Sequence, residues 1–424
     1  MLHSAAVLDD LAARGLVQDH TDLTALRALL DDHPVRVYCG FDPTADSLHV
    51  GNLVPLLLLR RFQDFGHLPI VLAGGATGMI GDPGGRSTER NLLDADTLRA
   101  NVEAIKKQLR AFVDFEGPDA AMLVDNRDWT EPMGVLDFLR DVGKYVTVNT
   151  MLAKESIRSR VEGDQGISYT EFSYMLLQAN DFHELHLAHD CEMQVGGSDQ
   201  WGNITAGIEL VRRRVGATVH GLTVPLVTRS DGEKFGKSVG GAVWLDPEKT
   251  LPYEFHQFFV NTDDADVGRL LLQLTLVDPT EVAEVMAAHA EAPERRVAQR
   301  RLADEVTGLV HGADAARRAT LAADALFGSE RPDAEQLEAL RGVVPETVLA
   351  PSALEGDEPA VDLLVATEVC RSRGDARRTI DQGGIRANGE RIGGAGEPVE
   401  AVGGRFVLLQ RGKKQRHLVV VEGA

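Results

Sequence analysis

The sequence predicts an α/β fold in which a Rossmann-like, doubly wound parallel sheet is followed by an α-helical domain and a small α+β domain. Short apolar runs of strand length alternate with longer helical segments up to about residue 245, which is the pattern of a doubly wound parallel sheet. Beyond that point apolar residues recur at helical spacing, for example at Leu302, Val306 and Leu309. The predicted strands are residues 35–41, 69–72, 121–124, 193–195 and 223–227.

The length of the chain favours several domains, because 424 residues exceed what one hydrophobic core usually serves. We expect the sheet domain to occupy residues 1–246 and the helical domain to occupy residues 247–344. A stretch that contains proline and acidic residues, 345–359, is predicted to be a linker. The small domain is expected over residues 360–424, where the composition changes.

Charge is distributed unevenly along the chain. The formal net charge is −21, which argues against nonspecific coating of nucleic acid and favours a soluble cytoplasmic enzyme. Residues 361–424, however, hold 11 Lys+Arg against 8 Asp+Glu, so their net charge is +3 and that of the remaining chain is −24. A basic module is therefore attached to an acidic body, and its basic residues lie on turns and one predicted helix face, which favours RNA binding. A solvated charged surface is the alternative interpretation.

Cysteine content and apolar run length exclude several classes of protein. The three cysteines are far apart and form no Cys-x-x-Cys motif, so neither a disulfide framework nor a zinc site is expected. The longest apolar stretches, such as residues 53–59, are too short to span a bilayer. The N-terminus carries Asp9 and Asp10 in place of a basic region followed by an apolar one, so no export signal is expected.

The first motif is residues 43–52, Pro-Thr-Ala-Asp-Ser-Leu-His-Val-Gly-Asn, between the first predicted strand and a predicted helix over residues 53–62. A helix N-terminus offers unpaired N–H groups and a positive dipole end, which together favour phosphate binding. Gly51 would let a ligand approach the backbone closely. Pro55 requires the helix to start late, close to Asn52, because proline cannot donate a helix hydrogen bond.

The second motif, Lys-Phe-Gly-Lys-Ser at residues 234–238, follows the last predicted strand. Open α/β sheets bind their ligands beyond the carboxyl ends of the strands, so two lysines at this position can neutralise a bound anion. By itself either motif also fits an ordinary turn. Their combination favours a phosphate site.

Both motifs resemble the ATP-binding signatures of class I aminoacyl-tRNA synthetases. Three further segments strengthen the resemblance, and in their order along the chain they are similar to the bacterial tyrosyl-tRNA synthetases from about residue 8 to the C-terminus. These segments are residues 38–44 (Tyr-Cys-Gly-Phe-Asp-Pro-Thr), 174–178 (Tyr-Met-Leu-Leu-Gln) and 196–203 (Gly-Gly-Ser-Asp-Gln-Trp-Gly-Asn).

The resemblance implies ATP-dependent activation of L-tyrosine to tyrosyl-adenylate with release of pyrophosphate, followed by transfer to the 3′ end of tRNA(Tyr). It also implies a homodimer whose interface is formed by a connective insertion near residues 129–160, although Phe138, Leu139, Tyr145 and Val146 in this stretch fit internal core equally well. The helical domain would lie on the anticodon side of the tRNA. The basic tail resembles an RNA-binding fold shared with a small-subunit ribosomal protein.

Amino-acid activation is an in-line attack of a carboxylate on the α-phosphorus of ATP, so it requires donors and cations to align and stabilise anions rather than a general base. The resemblance assigns catalytic roles to Thr44, His49, Lys234, Lys237 and Arg86, and Arg90 would assist Arg86 unless both are solvated surface residues. The ATP-binding set that it implies is Cys39, Gly40, Asp42, Thr44, His49, Gly51, Gly197, Asp199, Lys234 and Lys237. Mg²⁺ is expected to enter with ATP, and no metal-binding residues are predicted because no carboxylate cluster marks a protein-built site.

Polar side chains in otherwise apolar segments define the predicted tyrosine pocket. Through the resemblance, Tyr38 and Asp181 would contact the phenol hydroxyl of the substrate. The ammonium group would be held by Asp82, Tyr174 and Gln178, and Gln200 would help to place the carboxylate. Such a pocket discriminates against phenylalanine because phenylalanine leaves buried polar groups unpaired.

The tRNA-binding residues implied by the basic tail are Arg371, Arg373, Arg377, Arg378, Lys413 and Lys414. Some positions depart from the family pattern, since Asn52 stands where a second histidine is common and Asn180 stands where a tyrosine is common. Phe235–Gly236 replaces the usual Met-Ser, and Arg86 replaces a lysine. The alternative functions are a tryptophan-specific relative of the same fold and an RNA-binding chaperone derived from an inactive synthetase.

Overall fold

The computed structural model describes residues 3–82, 93–154, 157–158, 161–162, 166–230, 232, 235–238, 241–328 and 330–422. The chain divides into two compact units. The first unit comprises Met1–Thr250 and Thr262–Leu302, and the second comprises Leu251–Asn261 and Ala303–Ala424. The predicted domain limits at residues 246, 344 and 359 stay predictions.

Helices and strands are numbered separately in chain order. The helices are α1 (Ala6–Ala13), α2 (Leu23–Asp32), α3 (Leu53–Asp64), α4 (Ala95–Leu109), α5 (Arg127–Thr130), α6 (Val135–Asp141), α7 (Val148–Ala153), α8 (Tyr169–His189), α9 (Trp201–Val215), α10 (Pro252–Val260), α11 (Asp264–Leu274), α12 (Pro279–Glu291), α13 (Val297–His311), α14 (Ala313–Phe327), α15 (Ala334–Glu338), α16 (Pro359–Ala366) and α17 (Arg373–Asp381). The strands are β1 (Arg36–Phe41), β2 (Leu68–Ala73), β3 (Met122–Asp125), β4 (Cys191–Gly197), β5 (His220–Val224), β6 (Lys237–Ser238), β7 (Gly241–Ala242), β8 (Glu346–Leu349), β9 (Ile385–Ala387), β10 (Glu390–Arg391), β11 (Phe406–Arg411) and β12 (Gln415–Val421).

The first unit is organised around a five-stranded sheet with the order β3-β2-β1-β4-β5, in which all neighbouring strands are parallel. The chain builds the sheet outward from β1 to β3 and then returns to the other side of β1 to add β4 and β5. The strand order therefore reverses between β1 and β4, and this is the position at which doubly wound sheets bind ligands. The predicted doubly wound sheet is confirmed.

The fifth strand is the one whose predicted position was wrong. It spans His220–Val224 instead of residues 223–227. Pro225 follows directly and has no N–H to donate to the sheet, so the strand ends there although residues 226 and 227 are apolar.

Helix α3 begins where the position of Pro55 requires. A 3₁₀ turn, Val50–Asn52, precedes the helix, and Leu53 is its first residue. Pro55 is therefore the third helical residue, where a backbone N–H would have no partner within the helix. The predicted late start is confirmed.

The second unit combines helices with a mixed sheet of order β10-β9-β11-β12-β8, in which only the β8–β12 pair is parallel. Successive residues of β11 face opposite sides. Leu408 packs with Ala322 and Leu337 of the helices on one side, and Leu409 packs with apolar residues of α16 and α17 on the other. The predicted small α+β domain is confirmed, and strand β8 is formed by residues from the stretch predicted to be a linker.

Among the described residues, no helix combines the length and apolar character that crossing a bilayer requires.

Candidate active site

The candidate site lies at the carboxyl end of the sheet in the first unit, where β1 and β4 are neighbours. Tyr38 of β1 is paired in register with Gln194 of β4, so both side chains lie on the same face of the sheet. Helix α8 carries three predicted site residues on its buried side, Tyr174, Gln178 and Asp181. The sheet and this helix therefore bring together residues that are far apart in the sequence.

Asp181 is the centre of a buried hydrogen-bond network. Its side chain is 2% exposed and accepts hydrogen bonds from Trp129 Nε1 at 2.9 Å and Asn126 Nδ2 at 3.0 Å. Asn126 also donates to Thr77 Oγ1 at 3.0 Å, and Thr77 donates to Asp42 Oδ1 at 2.7 Å. The network therefore extends from the predicted phenol-binding carboxylate to a second carboxylate.

Asp42 connects this network to the predicted ammonium site. The hydroxyl group of Tyr174 donates to Asp42 Oδ2 at 2.8 Å. Burial, followed by the nearby carboxylate of Asp42, raises the pKa of Tyr174 well above its usual value, so the phenol stays protonated and can donate. Asp42 was predicted only as an ATP-binding residue, whereas in the structure it contacts Tyr174, a member of the predicted tyrosine-binding set.

Several buried polar atoms of the site have no protein partner among the described residues. The hydroxyl group of Tyr38, whose side chain is 1% exposed, and the Oε1 atoms of Gln178 and Gln194 are in this state. The ring of Tyr38 packs edge-on against Phe182, with 5.2 Å between the ring centres. Buried polar groups in proteins nearly always have hydrogen-bond partners, so these unpaired atoms favour a polar ligand here.

Asp82 lies in a second polar cluster. It accepts from Gln200 Nε2 at 2.8 Å and Asn203 Nδ2 at 3.4 Å, and Lys154 Nζ lies 3.8 Å from its other oxygen. Lys154 also donates to Asn203 Oδ1 at 2.8 Å, and burial lowers the pKa of this lysine. The structure thus brings the predicted residues Asp82 and Gln200 into direct contact.

Sequence reasoning missed several residues of these clusters. Asn203 could have been found, because it ends the motif segment 196–203. The other missed residues are Thr77, Asn126, Trp129, Lys154 and Gln194. Each is a single polar residue in an ordinary segment, so the sequence gives no signal of its hydrogen-bond partner.

The first motif forms a hydrogen-bonded turn at the start of α3. The Nδ1 atom of His49 accepts from the backbone N–H of Gly51 at 3.0 Å, so a neutral ring carries its hydrogen on Nε2. The Oδ1 atom of Asn52 accepts from the backbone N–H of His49 at 3.0 Å, which gives this departure from the family pattern a capping role. A Cβ atom on Gly51 would come within 2.8 Å of the His49 ring, so glycine is required for this ring position.

The two motifs lie next to each other. Gly236 has a φ of +95°, and a Cβ atom on it would come within 3.3 Å of the backbone nitrogen of Gly51. Val243 donates its N–H to the carbonyl of Gly236 at 3.1 Å, and Val50 donates to the carbonyl of Val243 at 2.9 Å. Glycine at position 236 therefore provides both the left-handed backbone and the close approach.

Of the lysines and arginines predicted to bind the phosphates, only Lys237 lies within the described residues. The backbone of Lys237 lies in β6, which pairs with β7. The predicted residues Lys234, Arg86 and Arg90 lie outside the described residues. Their roles stay predictions.

The other predicted ATP-binding residues lie at the ends of β1 and β4. Cys39 is buried, and burial raises the pKa of its thiol to about 12, so it is an inert apolar side chain. Gly40 and Thr44 are exposed. A Cβ atom on Gly197 would lie 2.7 Å from Asp199 Oδ1, so glycine makes room for that carboxylate. The described residues hold no group of three or more His, Cys, Asp or Glu arranged to bind a metal ion.

The predicted tRNA-binding arginines of α17 are paired with carboxylates. Glu358 lies 2.8 Å from Arg373 and 2.5 Å from Arg377, and Asp375 lies 2.8 Å from Arg378. The positive charge of this helix is therefore largely offset locally. The other predicted residues, Arg371, Lys413 and Lys414, are exposed.

Comparisons with known proteins agree with the fold. Residues 30–328 match the family model of class I tRNA synthetases (W and Y), and residues 336–419 match that of the tyrosine–tRNA ligase C-terminal domain. The chain therefore belongs to the class I tRNA synthetases of the tryptophan and tyrosine family.

Two bacterial relatives are similar to this chain over nearly its whole length. The tyrosine–tRNA ligase of Opitutus terrae is 51% identical over 98% of this chain and 99% of its own length, and that of Corynebacterium efficiens is 54% identical over 96% and 97%. A solved structure of a C-terminally truncated Aspergillus nidulans mitochondrial tyrosyl-tRNA synthetase is 32% identical, with a TM-score of 0.69, and the match covers 76% of this chain and 94% of that chain.

Asp181 should make stability depend on pH between about 4 and 7. Burial raises the pKa of Asp181 to about 7 although Asn126 and Trp129 donate to it, whereas an unfolded Asp has a pKa of about 3.9. The resulting stabilisation is complete below about pH 4 and is lost as pH rises through about 7, at up to about 1.4 kcal/mol per pH unit. Asp181→Asn should remove this component of the pH dependence, measured as the urea midpoint of unfolding from pH 4 to pH 7. Identical pH dependence in both proteins would contradict the prediction.

Proposed function

We propose that the chain is a tyrosine–tRNA ligase. It activates L-tyrosine with ATP to form tyrosyl-adenylate and pyrophosphate, and then transfers the tyrosyl group to the 3′ end of tRNA(Tyr) in the cytoplasm. The observation that carries the choice of amino acid is the unpaired, buried hydroxyl group of Tyr38 near the buried carboxylate of Asp181. Relatives at 51–54% identity over nearly the whole chain bear this name and support the same function.

The hydroxyl group of the substrate is bound by Tyr38 and Asp181. Burial, followed by the nearby charge of Asp181, raises the pKa of Tyr38 well above its usual value, so Tyr38 is a donor at neutral pH. Trp129 and Asn126 each donate to Asp181, which holds its carboxylate in place as an acceptor. A phenol hydroxyl can accept from Tyr38 and donate to Asp181, and it would use both of its hydrogen-bonding functions.

The ammonium group is bound among Asp82, Tyr174 and Gln178. The unpaired Oε1 of Gln178 can accept from it, and the hydroxyl oxygen of Tyr174 keeps its lone pairs for the same purpose because its hydrogen is donated to Asp42. We add Asp42 to this set as the carboxylate that orients Tyr174. Gln200, whose Nε2 contacts Asp82, helps to place the carboxylate of the substrate.

Adenylate formation needs no general base, because the carboxylate attacks the α-phosphorus directly. Hydrogen-bond donors and cations act by stabilising the charge that develops on the phosphates. His49 donates through Nε2, since Nδ1 is occupied by Gly51, and Thr44 is exposed at the same turn. Lys234, Lys237 and Arg86 supply positive charge to the leaving pyrophosphate.

Mg²⁺ enters as part of the ATP substrate, so chelation should stop the reaction and added Mg²⁺ should restore it.

Replacement of Tyr38 by phenylalanine should weaken the discrimination between tyrosine and phenylalanine by about tenfold or more, because an unpaired buried polar group costs about 1–3 kcal/mol. The measurement is kcat/KM for both amino acids in ATP–pyrophosphate exchange. ATP KM should change little. The matched control is Tyr169→Phe, since Tyr169 is exposed at the start of α8, the helix that carries Asp181. Full discrimination in Tyr38→Phe would reject the assigned role.

The same assay separates the alternative functions. Exchange with tryptophan and not tyrosine would identify a tryptophan-specific enzyme of the same fold. Absence of exchange with every standard amino acid would favour an RNA-binding chaperone. The contacts around Asp181 and Tyr174 favour the tyrosine enzyme, because they prepare one pocket with polar groups at both ends.

The proposed enzyme is a homodimer that associates through α6. Sequence alone left residues 129–160 equally compatible with core and interface, and in the structure some of the described apolar residues of this stretch are buried and others are exposed. Val146 is buried, and Phe138 and Tyr145 pack against the same apolar cluster. Val135, Leu136 and Leu139 are exposed on α6, with Leu136 at 78%. An apolar surface of this kind favours a protein interface over contact with water.

Leu136→Glu should convert the dimer to a monomer, because it would bury a carboxylate within an apolar interface. Sedimentation velocity at micromolar concentration measures the change in mass. Leu187→Glu is the matched control, since Leu187 is also exposed but lies on α8. A monomeric wild-type protein, or a dimer that tolerates Leu136→Glu unchanged, would contradict this interface.

The second unit contains a cationic cleft that we assign to the tRNA. Arg386 and Arg416 both pair in register with Gln410, so the three side chains form a row on one face of the sheet. They line a cleft of about 550 Å³ together with Arg331, which lies 3.9 Å from Glu390. Phe327 is exposed, and its chain neighbours Leu326 and Gly328 line the cleft. Among the described residues, neither Arg386 nor Arg416 has a carboxylate partner, in contrast to the arginines of α17. Cations beside an exposed aromatic ring suit an unpaired stretch of RNA.

Arg386→Gln combined with Arg416→Gln should weaken tRNA binding about tenfold or more and lower its salt dependence, because each lost phosphate contact lowers the log–log slope by about one. The control Arg373→Gln/Arg377→Gln removes the same charge from α17 and should have a smaller effect. Phe327→Ala should weaken binding with no change in slope. Tyrosine-dependent exchange should be normal in all of these variants. Equal effects of the two double variants would show that only overall charge matters.

A further inference from the structure

The segment that leads from β5 to the lysine motif is attached to helix α11. The carboxylate of Asp266 accepts from the backbone N–H of Ser230 at 3.1 Å and from its hydroxyl group at 3.3 Å. Arg269 donates to the carbonyl oxygen of Thr228 at 2.5 Å and to Asp266 at 2.8 Å. Two residues of this segment, Thr228 and Ser230, which are separated only by Arg229, thus bind one pair of charged side chains a few positions before Lys234.

The two members of the pair differ in exposure, since the carboxylate is buried and the Arg269 side chain is 36% exposed. Asp266 is 3% exposed, and such burial alone would raise the pKa of its carboxyl group. The hydrogen bonds from Arg269 and Ser230 outweigh burial, and the pKa of Asp266 is lowered. A buried carboxylate is costly unless it is hydrogen bonded, so its ionised form depends on the contacts with Arg269 and Ser230.

The other end of α11 is held by the helix of the first motif. Arg61 of α3 donates to the carbonyl oxygen of Thr275 at 2.6 Å, immediately after the last residue of α11. Arg14 donates to the carbonyl oxygen of Leu272 at 3.1 Å. A cation at a helix C-terminus satisfies free carbonyl groups and opposes the helix dipole. Helix α11 therefore connects the helix that begins at the His49 turn with the segment that precedes Lys234.

We infer that Asp266 and Arg269 are positioning residues that fix Thr228 and Ser230, on the stretch of chain that leads to the lysine motif, whose Gly236 lies against the His49 turn. They touch neither ATP nor tyrosine. They act by fixing Thr228 and Ser230, and through them the path of the chain towards the lysines. The inference rests on the proposed function, because it assigns the lysines to the phosphates of ATP.

The test is the rate of tyrosyl-adenylate formation in single turnovers of the full chain, together with the Kd of tyrosine from equilibrium dialysis. Asp266→Asn should slow adenylate formation by about tenfold or more, as expected for losing a charge-assisted hydrogen bond. The Kd of tyrosine should change less than twofold, because its pocket does not include α11. Arg269→Gln should have a similar effect, and Arg269→Lys should recover part of the rate.

Asp264→Asn is the matched control. Asp264 also lies in the first turn of α11, but it binds His289 and Gln299 instead of Ser230. Its replacement should therefore leave the rate near that of the wild type. An unchanged rate in Asp266→Asn would overturn the inference. Equal losses of rate and tyrosine affinity in both variants would also overturn it, since they would indicate general destabilisation. No adenylate formation in the wild type would refute the proposed function instead.

Discussion

The site depends on the side chain of Asn126, which is fully buried. Its Oδ1 accepts from the backbone N–H of Ala76 at 2.7 Å, and its Nδ2 donates to Thr77 and to Asp181 at 3.0 Å each. The turn after β2, the end of β3 and helix α8 are thereby held by one amide group. A buried polar network whose members are satisfied allows one arrangement of its parts. The positions of Asp181 and of the Thr77–Asp42 pair follow from this constraint.

The contrast between satisfied and unsatisfied polar atoms distinguishes the frame of the pocket from its binding groups. The carboxylate of Asp181 is held by two donors, whereas the hydroxyl group of Tyr38 and Oε1 of Gln178 have no protein partner among the described residues. The paired atoms, such as the carboxylate oxygens of Asp181, fix the geometry of the pocket. The unpaired atoms can form hydrogen bonds with a substrate, and a rigid pocket gains selectivity in this way without moving. A substrate that cannot complete them leaves buried polar atoms unpaired.

Charge in the second unit shows why composition alone is a poor guide to an interface. Residues 371–378 hold four arginines, but Glu358 and Asp375 offset three of them, Arg373, Arg377 and Arg378, at hydrogen-bonding distance. Arg386 and Arg416 are 30 positions apart in the sequence, and strand pairing brings them to one face of the sheet through Gln410. The surface available to an anion is therefore set by pairing across the fold, because a carboxylate within 4 Å cancels a positive charge that the sequence counts in full.

The fold was predictable from sequence to the extent that its signals are local. Four of the five strands of the parallel sheet were placed within two residues at each end, because strands covered on both faces are continuously apolar. The late start of α3 followed from Pro55, whose ring constrains only its own neighbourhood. The fifth strand was misplaced because residues 226 and 227 are apolar without belonging to the sheet, and apolar character alone does not show where a ladder ends.

The sequence by itself determined the class of fold, the two motifs that we assign to phosphate binding and the residue types of the proposed tyrosine pocket, since each consists of consecutive or regularly spaced residues. Tertiary structure alone decided which partners those residues have. Asn126 and Asp181 are 55 positions apart, Asp42 and Tyr174 are 132 apart, and Ser230 and Asp266 are 36 apart. Each residue is an ordinary polar side chain in its own segment. Its role arises from a hydrogen bond that forms only when the sheet and helices bring both partners within about 3 Å.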